Sequence, residues 1–282
     1  MDAKVSLTSR SIEDLCRMML VSRGGYYKWL KHCQGKRYQE RETSLKQIRE
    51  VFNCSRETYG RRHISAKLKS SGINMSVRKV GKLMRHDGLQ AAGARRYRVT
   101  TNSKHRRPVT VNLLQAKAPI IKPDTVWTSD ITYISTGEGW LYLCVVLDAF
   151  SRRIVGWSMQ TSLHADIVTK AIEGAYRARN PLAGLIFHSD RGSPYASDAV
   201  RRKLMGRGTR QSMSGKGNCY DNAITETFFS SLKKELVHRC KFKTRDEARQ
   251  AIFEYIEVFY NRERIHSSLG FKSPQDFEQM VA

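Results

Sequence analysis

Long hydrophobic runs are missing from this chain of 282 residues. The longest, Trp140 to Leu147, falls far short of the roughly 20 residues that a membrane-spanning helix needs. The opening, Met1-Asp2-Ala3-Lys4-Val5, leads into no apolar core of the kind a secretory signal carries. Paired cysteines are missing as well: the six cysteines include no Cys-x-x-Cys, so no disulfide framework is expected. No two of the eight histidines stand three to five residues apart. His32-Cys33 and His238-x-Cys240 lack second pairs at ligand spacing, which argues against structural zinc. These absences point to a reducing, cytoplasmic setting and to no membrane partner.

Acidic residues are scarce in one part of the chain only. Residues 1–118 hold 27 Lys and Arg against 8 Asp and Glu, whereas residues 119–282 hold 23 against 18. Most of the net charge of +24 therefore lies in a basic module that precedes a nearly balanced one. Such an excess calls for a polyanionic partner. With 40% hydrophobic residues, the chain has material for a packed core and does not read as disordered.

The basic part reads as helical. Residues 11–20, with Glu13 and Asp14 in the first turn, predict a short helix. Val21-Ser22-Arg23-Gly24-Gly25 then makes a turn, and Tyr26-Tyr27-Lys28-Trp29-Leu30 opens a second helix, the outline of a helix-turn-helix. A clearer unit comes next. Residues 44–53 carry Leu45, Ile48, Val51 and Phe52 at helical spacing, and residues 60–71 carry Ile64 and Leu68 with Gly72 as the closing cap. Ser76 is placed to cap a third helix over residues 77–87, with an apolar stripe of Val77, Val80, Leu83 and Met84. Its other face carries Arg78, Lys82 and Arg85, which suit a DNA groove. On a helix alone that face would be an ordinary solvated one; the basic surroundings favour DNA contact. Residues 93–110 are basic, polar and aperiodic, a stretch suited to lie along phosphates. The expected organisation is a basic helix-turn-helix region over 1–92, a basic linker over 93–118, and a catalytic core with a C-terminal helical extension over 119–282.

From Thr125 the pattern becomes extended. Residues 125–135, 140–147 and 153–159 predict three strands joined by short hairpin connections. A helix over 164–178, a strand over 185–188, a helix over 197–206, a strand over 209–213 and a long helix from 222 follow. Three antiparallel strands and then alternating helices and strands predict an α/β sheet of the ribonuclease-H type, preceded by the all-α region. That topology by itself assigns no function.

The acids carry the chemistry. Asp130 sits mid-strand among apolar and β-branched neighbours, where a charge is costly unless a partner offsets it. Asp190 ends a strand, and Glu226 lies one turn into the long helix, opposite its apolar stripe of Ile224, Phe228, Leu232 and Leu236. A glycine-rich loop, Ser214-Gly215-Lys216-Gly217-Asn218, precedes that helix. Taken singly, the three acids read as a satisfied polar residue, a turn residue and a solvated helix acid. Brought together they would repel one another unless cations neutralise them, and oxygen-only ligands favour Mg²⁺ or Mn²⁺ over zinc. Two such ions would stabilise the attacking and leaving oxygens of an in-line phosphodiester displacement.

Between Asp190 and Glu226 stand 35 residues. That spacing, and the blocks Trp127-x-x-Asp130-Ile131-Thr132-Tyr133, Leu147-Asp148-Ala149-Phe150-Ser151-Arg152 and His188-Ser189-Asp190-Arg191-Gly192-Ser193-x-Tyr195, resemble the insertion-sequence-three family of transposases with their retroviral-integrase-like core. The stretch from Ser212 to Glu226, the C-terminal Tyr260-Asn261-x-x-Arg264-x-His266, and upstream Tyr59-Gly60-Arg61-Arg62 and Arg85-His86-Asp87-Gly88-Leu89 extend the resemblance over almost the whole chain.

The resemblance implies the second-frame product of such an element, a bacterial Mg²⁺-dependent DNA strand transferase acting in the cytoplasm on the nucleoid. Asp130, Asp190 and Glu226 fall on its catalytic, metal-binding triad, which implies Mg²⁺, or Mn²⁺ in its place, with two ions expected. Lys233 matches a basic position near DNA; an ordinary salt bridge is the competing reading of that residue. Asp148 is expected to be structural and Asp221 a helix cap. The implied partners are double-stranded DNA, as element ends and as target, further copies of the chain on DNA, and the upstream-frame product as fusion or partner. Two other readings stand beside this one: a metal nuclease of the same fold that only hydrolyses, and a non-catalytic DNA-binding regulator.

Overall fold

Ser11 and Ser76 begin two helices by the same device: each side chain accepts a backbone N–H three residues on, from Asp14 and Lys79, both at 3.2 Å. The helices they begin are α1 (Ile12–Met18) and α5 (Val77–His86), and between them lie α2 (Arg23–Cys33), α3 (Lys36–Cys54) and α4 (Arg61–Ser70). The computed structural model describes residues 11–33, 35–92, 110–114, 119–215 and 223–281. Most of the basic stretch over 93–110, most of the glycine-rich loop and Asp221 lie outside the described residues. The chain divides into two units, Met1–Gln90 and Ala91–Ala282.

In the first unit, Gly24 and Gly25 are not part of the turn expected over residues 21–25, which is cut short after Ser22 by the start of α2. They lie in the first turn of α2, where the Gly25 N–H donates to Ser22 Oγ at 3.0 Å, and the chain reverses earlier, with Leu20 in a left-handed conformation. The helix α3 starts at Lys36, well before residue 44, because its added turns are made of Arg, Gln and Glu, which favour helix without an apolar stripe. Gly72 closes α4 with a φ of +80°, and the Ile73 N–H reaches back to the Leu68 carbonyl at 2.9 Å. Ile48, Ile64 and Val80, one from each of α3, α4 and α5, are wholly buried. Val77 is exposed, a departure from the expected stripe: it stands at the first position of α5, past the edge of that core. Arg49 of α3 grips the Asp87 carboxylate at the end of α5 through two hydrogen bonds.

In the second unit, β1 (Val126–Thr136), β2 (Gly139–Asp148) and β3 (Ile154–Gln160) form an antiparallel meander. The strands β4 (Ile186–Ser189) and β5 (Arg210–Met213) add in parallel beyond β1, giving the order β3-β2-β1-β4-β5. Side-chain alternation sends the two faces of the sheet to two cores. Trp127, Cys144 and Val146 pack with residues of α6 (Ala165–Arg179) and α7 (Asp198–Met205). Leu141, Leu143, Val145 and Leu147 pack with α8 (Ala223–Leu232) and α9 (Arg245–Glu254). This is the ribonuclease-H-type sheet expected from the strand pattern, behind a helix-turn-helix region.

The long helix expected from residue 222 is α-helical only to Leu232. Lys233–Val237 widens into a π turn, in which the His238 N–H bonds the Lys233 carbonyl at 2.8 Å. A second π segment, Tyr255–Glu263, continues α9 and ends with the Arg264 N–H on the Phe259 carbonyl at 2.7 Å. Glu235 links the two, accepting from Arg264 Nη2 and from the Tyr255 hydroxyl, both at 2.7 Å. The chain then closes with α10 (Pro274–Val281). Among the described residues no helix is long and apolar enough to cross a membrane.

Candidate active site

Parallel register brings two acids side by side. Ser129 of β1 pairs with Ser189, the last residue of β4, so Asp130 of β1 and Asp190, the first residue beyond β4, each follow directly on that pair. Thr225 of α8 donates its hydroxyl to Thr128 Oγ1 at 2.7 Å, and both residues are buried. That bond ties α8 to β1 two residues before Asp130 and one residue before Glu226.

Burial, and then the negative charge of Asp190, push the Asp130 carboxyl up to about 8. The Asp130 carboxylate accepts the Ile131 N–H at 2.7 Å, which pulls the other way, as does Lys233, while Glu226 adds to the rise. Glu226 itself is exposed, and partial burial raises its pKa. Asp190 is held by its own turn: Oδ1 accepts the Gly192 N–H at 2.8 Å. A β-carbon at position 192 would stand 2.9 Å from that same oxygen, so glycine keeps the carboxylate where it is.

A buried polar layer supports the pair. His188 has Nδ1 at 2.9 Å from Ser212 Oγ and Nε2 at 3.0 Å from Ser214 Oγ, fastening β4 to β5. Ser129 donates to the Val145 carbonyl at 2.7 Å and meets the Tyr195 hydroxyl at 2.9 Å. The Arg191 Nε–H bonds the Ser214 carbonyl at 2.7 Å. Asp148, as expected, serves the β2 turn: wholly buried, it accepts from the Asp124, Phe150 and Ser151 N–H groups and from the Ser151 hydroxyl.

The structure thus sets Asp130 and Asp190 together and gives Glu226 an electrostatic reach to Asp130. Among the described residues no three His, Cys, Asp or Glu side chains are gathered closely enough to cage a metal ion. The donor set is nevertheless of the right chemistry for a hard divalent cation: oxygen-only, and with the pKa of one carboxyl raised first by burial and then by the charge of its neighbours. Lys233, first residue of the π turn, places Nζ 5.5 Å from the centre of the Tyr133 ring. Burial lowers its pKa, while Tyr133 and Asp130 raise it, so the acid whose field it occupies is Asp130. Arg78, Lys82 and Arg85 are all exposed on α5, in the other unit.

Sequence reasoning did not single out Glu235, although Arg264 lay in a quoted block. An acid three residues after Leu232 and directly before Leu236 falls near the packed side of an α-helix, a signal that it needs a buried partner. The Asn261 side chain bonds both the N–H (2.9 Å) and the carbonyl (3.0 Å) of Ile154, completing the edge of β3.

Two family models described as integrase core domain match residues 121–219 and 226–281, and one described as HTH-like domain matches residues 39–97. The class defined by fold and site is therefore an integrase-type core with a helix-turn-helix region; α1 and α2 fall outside the HTH-like match. An uncharacterized 31 kDa protein of insertion element IS600 from Shigella sonnei is 41% identical over 94% of this chain and 97% of its own length. The transposase for insertion sequence element IS904 from Lactococcus lactis subsp. lactis is 43% identical over 85% and 95%. The transposase InsF for insertion sequence IS3A from Escherichia coli is 38% identical over 95% and 94%. The chain belongs to the insertion-sequence-three family of transposases, which carry a retroviral-integrase-like core.

Proposed function

We propose that this chain is the catalytic subunit of a transposase that cleaves DNA at the ends of an insertion sequence and joins the exposed 3′-hydroxyl to another phosphodiester. The observation that carries this reading is the Asp130–Asp190 pair, made by the β1–β4 register in a chain of this family. Asp130, Asp190 and Glu226 would hold Mg²⁺, with Mn²⁺ as a substitute and two ions as the expected number. When bound, the metal supplies charge neutralisation at the attacking and leaving oxygens.

The chain's own residues do the remainder. The Gly192 N–H orients Asp190, and Ile131 N–H orients Asp130. The Thr128–Thr225 bond ties α8, which carries Glu226, to β1. Lys233 receives a phosphate oxygen of the DNA end next to the bond that breaks. Arg78, Lys82 and Arg85 contact duplex DNA from α5, and their charge contributes the salt-sensitive part of the affinity. The partners in this reading are element ends and target DNA, further copies of the chain assembled on that DNA, and the upstream-frame product as fusion or companion. The place of action is the bacterial cytoplasm, on the nucleoid.

Asp190→Asn tests the reading on duplexes that carry the inverted repeats flanking the gene. The variant is expected to lose both cleavage and joining in Mg²⁺ while binding duplex DNA as the parent does. Substantial strand transfer by the variant contradicts the assignment of Asp190. Nicks without joined strands from the parent chain itself would favour a nuclease that only hydrolyses.

A further inference from the structure

Around Lys233 the second unit carries a cleft of about 590 Å³ whose walls differ in chemistry from the carboxylate site. One wall is the end of the β1–β2 hairpin, where Tyr133 and Trp140 meet edge to face with ring centres 5.0 Å apart. Both rings are open to solvent, at 38% and 49% exposure, although they are among the larger apolar surfaces of the chain. The other wall is the π turn and the residues after it, which bring Lys233, His238, Lys241 and Phe242. The rings stand on a fixed support: the Gly137 N–H bonds the Phe242 carbonyl at 3.0 Å, and Arg245 bonds Glu138 Oε2 through its N–H at 2.8 Å.

An exposed indole set edge to face with a tyrosine ring that Lys233 overhangs, on a hairpin braced by these bonds, forms the kind of surface on which an unstacked base rests while its phosphate meets lysines. A recess of this volume lies within the roughly 300–1,000 Å³ range of small-ligand pockets and has no room for a duplex. Lys233 belongs to both places, lining the cleft and standing in the field of Asp130. A nucleotide bound there would be adjacent to a phosphate at the carboxylates. We propose that this cleft binds an unpaired nucleotide of the DNA strand next to the reacting phosphate, with its base stacked on Trp140 and flanked by Tyr133, and its phosphate on Lys233 and Lys241. The proposal rests on the catalytic reading for the position of the reacting phosphate; the stacking surface itself does not depend on it.

The test is a binding measurement with the full chain in the presence of chelator, so that no chemistry occurs. One probe is a duplex with a short single-stranded overhang whose first base is 2-aminopurine; the other is the same duplex with a blunt end. The parent chain is expected to bind the overhang duplex roughly tenfold more tightly than the blunt one, and to quench the probe's fluorescence on binding. Trp140→Ala and Tyr133→Ala should lose the preference and the quenching while binding the blunt duplex unchanged. Trp140→Phe, which keeps an aromatic face and the packing of the hairpin, should retain most of both. A preference that survives Trp140→Ala, one that is absent from the parent, or one that Trp140→Phe abolishes overturns the proposal. Asp190→Asn should keep the preference. If that variant still transfers strands while the preference depends on Trp140, the catalytic reading fails and the nucleotide cleft stands.

Discussion

Glu278 shows how much one side chain can hold. It lies in α10, almost buried, and its carboxylate accepts from Arg153 Nη1 at 2.7 Å and from Arg179 Nη1 and Nη2 at 2.8 and 2.9 Å. Arg179 also donates to Asp124, which in turn accepts the Trp127 indole N–H at 2.9 Å. Burial alone would raise the Glu278 pKa, but Arg179, Ser151 and Arg153 outweigh it and hold it below its ordinary value of 4.5. A carboxyl depressed in the folded state stabilises the fold above its unfolded pKa, and that contribution disappears as pH falls through the folded value. Stability should therefore decline on the acid side of pH 4.5, and Glu278→Gln should remove part of that decline while costing about 1.5–3 kcal/mol near neutrality. Denaturant unfolding of both forms at neutral and acid pH measures it; identical acid limbs would contradict the assignment. Nothing in the sequence announced Glu278, because its partners lie about 100 residues upstream. Asp148 was legible, since an acid at a strand-to-turn junction has nearby N–H groups to accept, and these are what it meets. The joint placement of Asp130, Asp190 and Glu226 was legible only through the family resemblance; taken one at a time, each had an ordinary explanation.

At the scale of elements, the strands were readable because runs of apolar and β-branched residues between short turns leave a plain signature, and β1 to β3 fall within a residue or two of expectation. The π turn was not readable. Its residues, Lys233-Lys234-Glu235-Leu236-Val237, continue an acceptable α-helical pattern, and what widens the helix is a tertiary partner: Arg264 and Tyr255 reaching Glu235 from the second π segment. Gly24-Gly25 misled for a related reason, since the capping hydroxyl of Ser22 makes a helix start where composition suggests a turn. The π turn matters because Lys233 opens it. Lys233→Ala should weaken binding of the element end and lower the salt slope by about one unit. It should leave the Mg²⁺ dependence of activity where it was. Titrating DNA at several salt concentrations, and Mg²⁺ at saturating DNA, separates the two; a shifted metal midpoint would mean that Lys233 supports the carboxylates instead.

For the whole molecule, charge and fold divide the work. Residues 1–118 carry most of the positive excess, and the helical unit within them exposes Arg78, Lys82 and Arg85 on α5, whereas the sheet unit carries the acids. That division was visible in composition alone, because a net charge confined to one stretch needs no fold to be counted. The separate support given to Asp130 and Asp190, a glycine turn under one and a buried polar layer beneath both, needed the structure. The central claim is that these carboxylates hold the metal that strand transfer requires, and replacing one oxygen ligand by sulfur tests it most directly. Asp190→Cys, assayed for joined DNA strands in Mg²⁺ and in Mn²⁺, should be inactive with the harder ion and regain measurable joining with the softer one. Equal joining in both ions at the parent's level would contradict the claim, as would a loss that the choice of ion does not change.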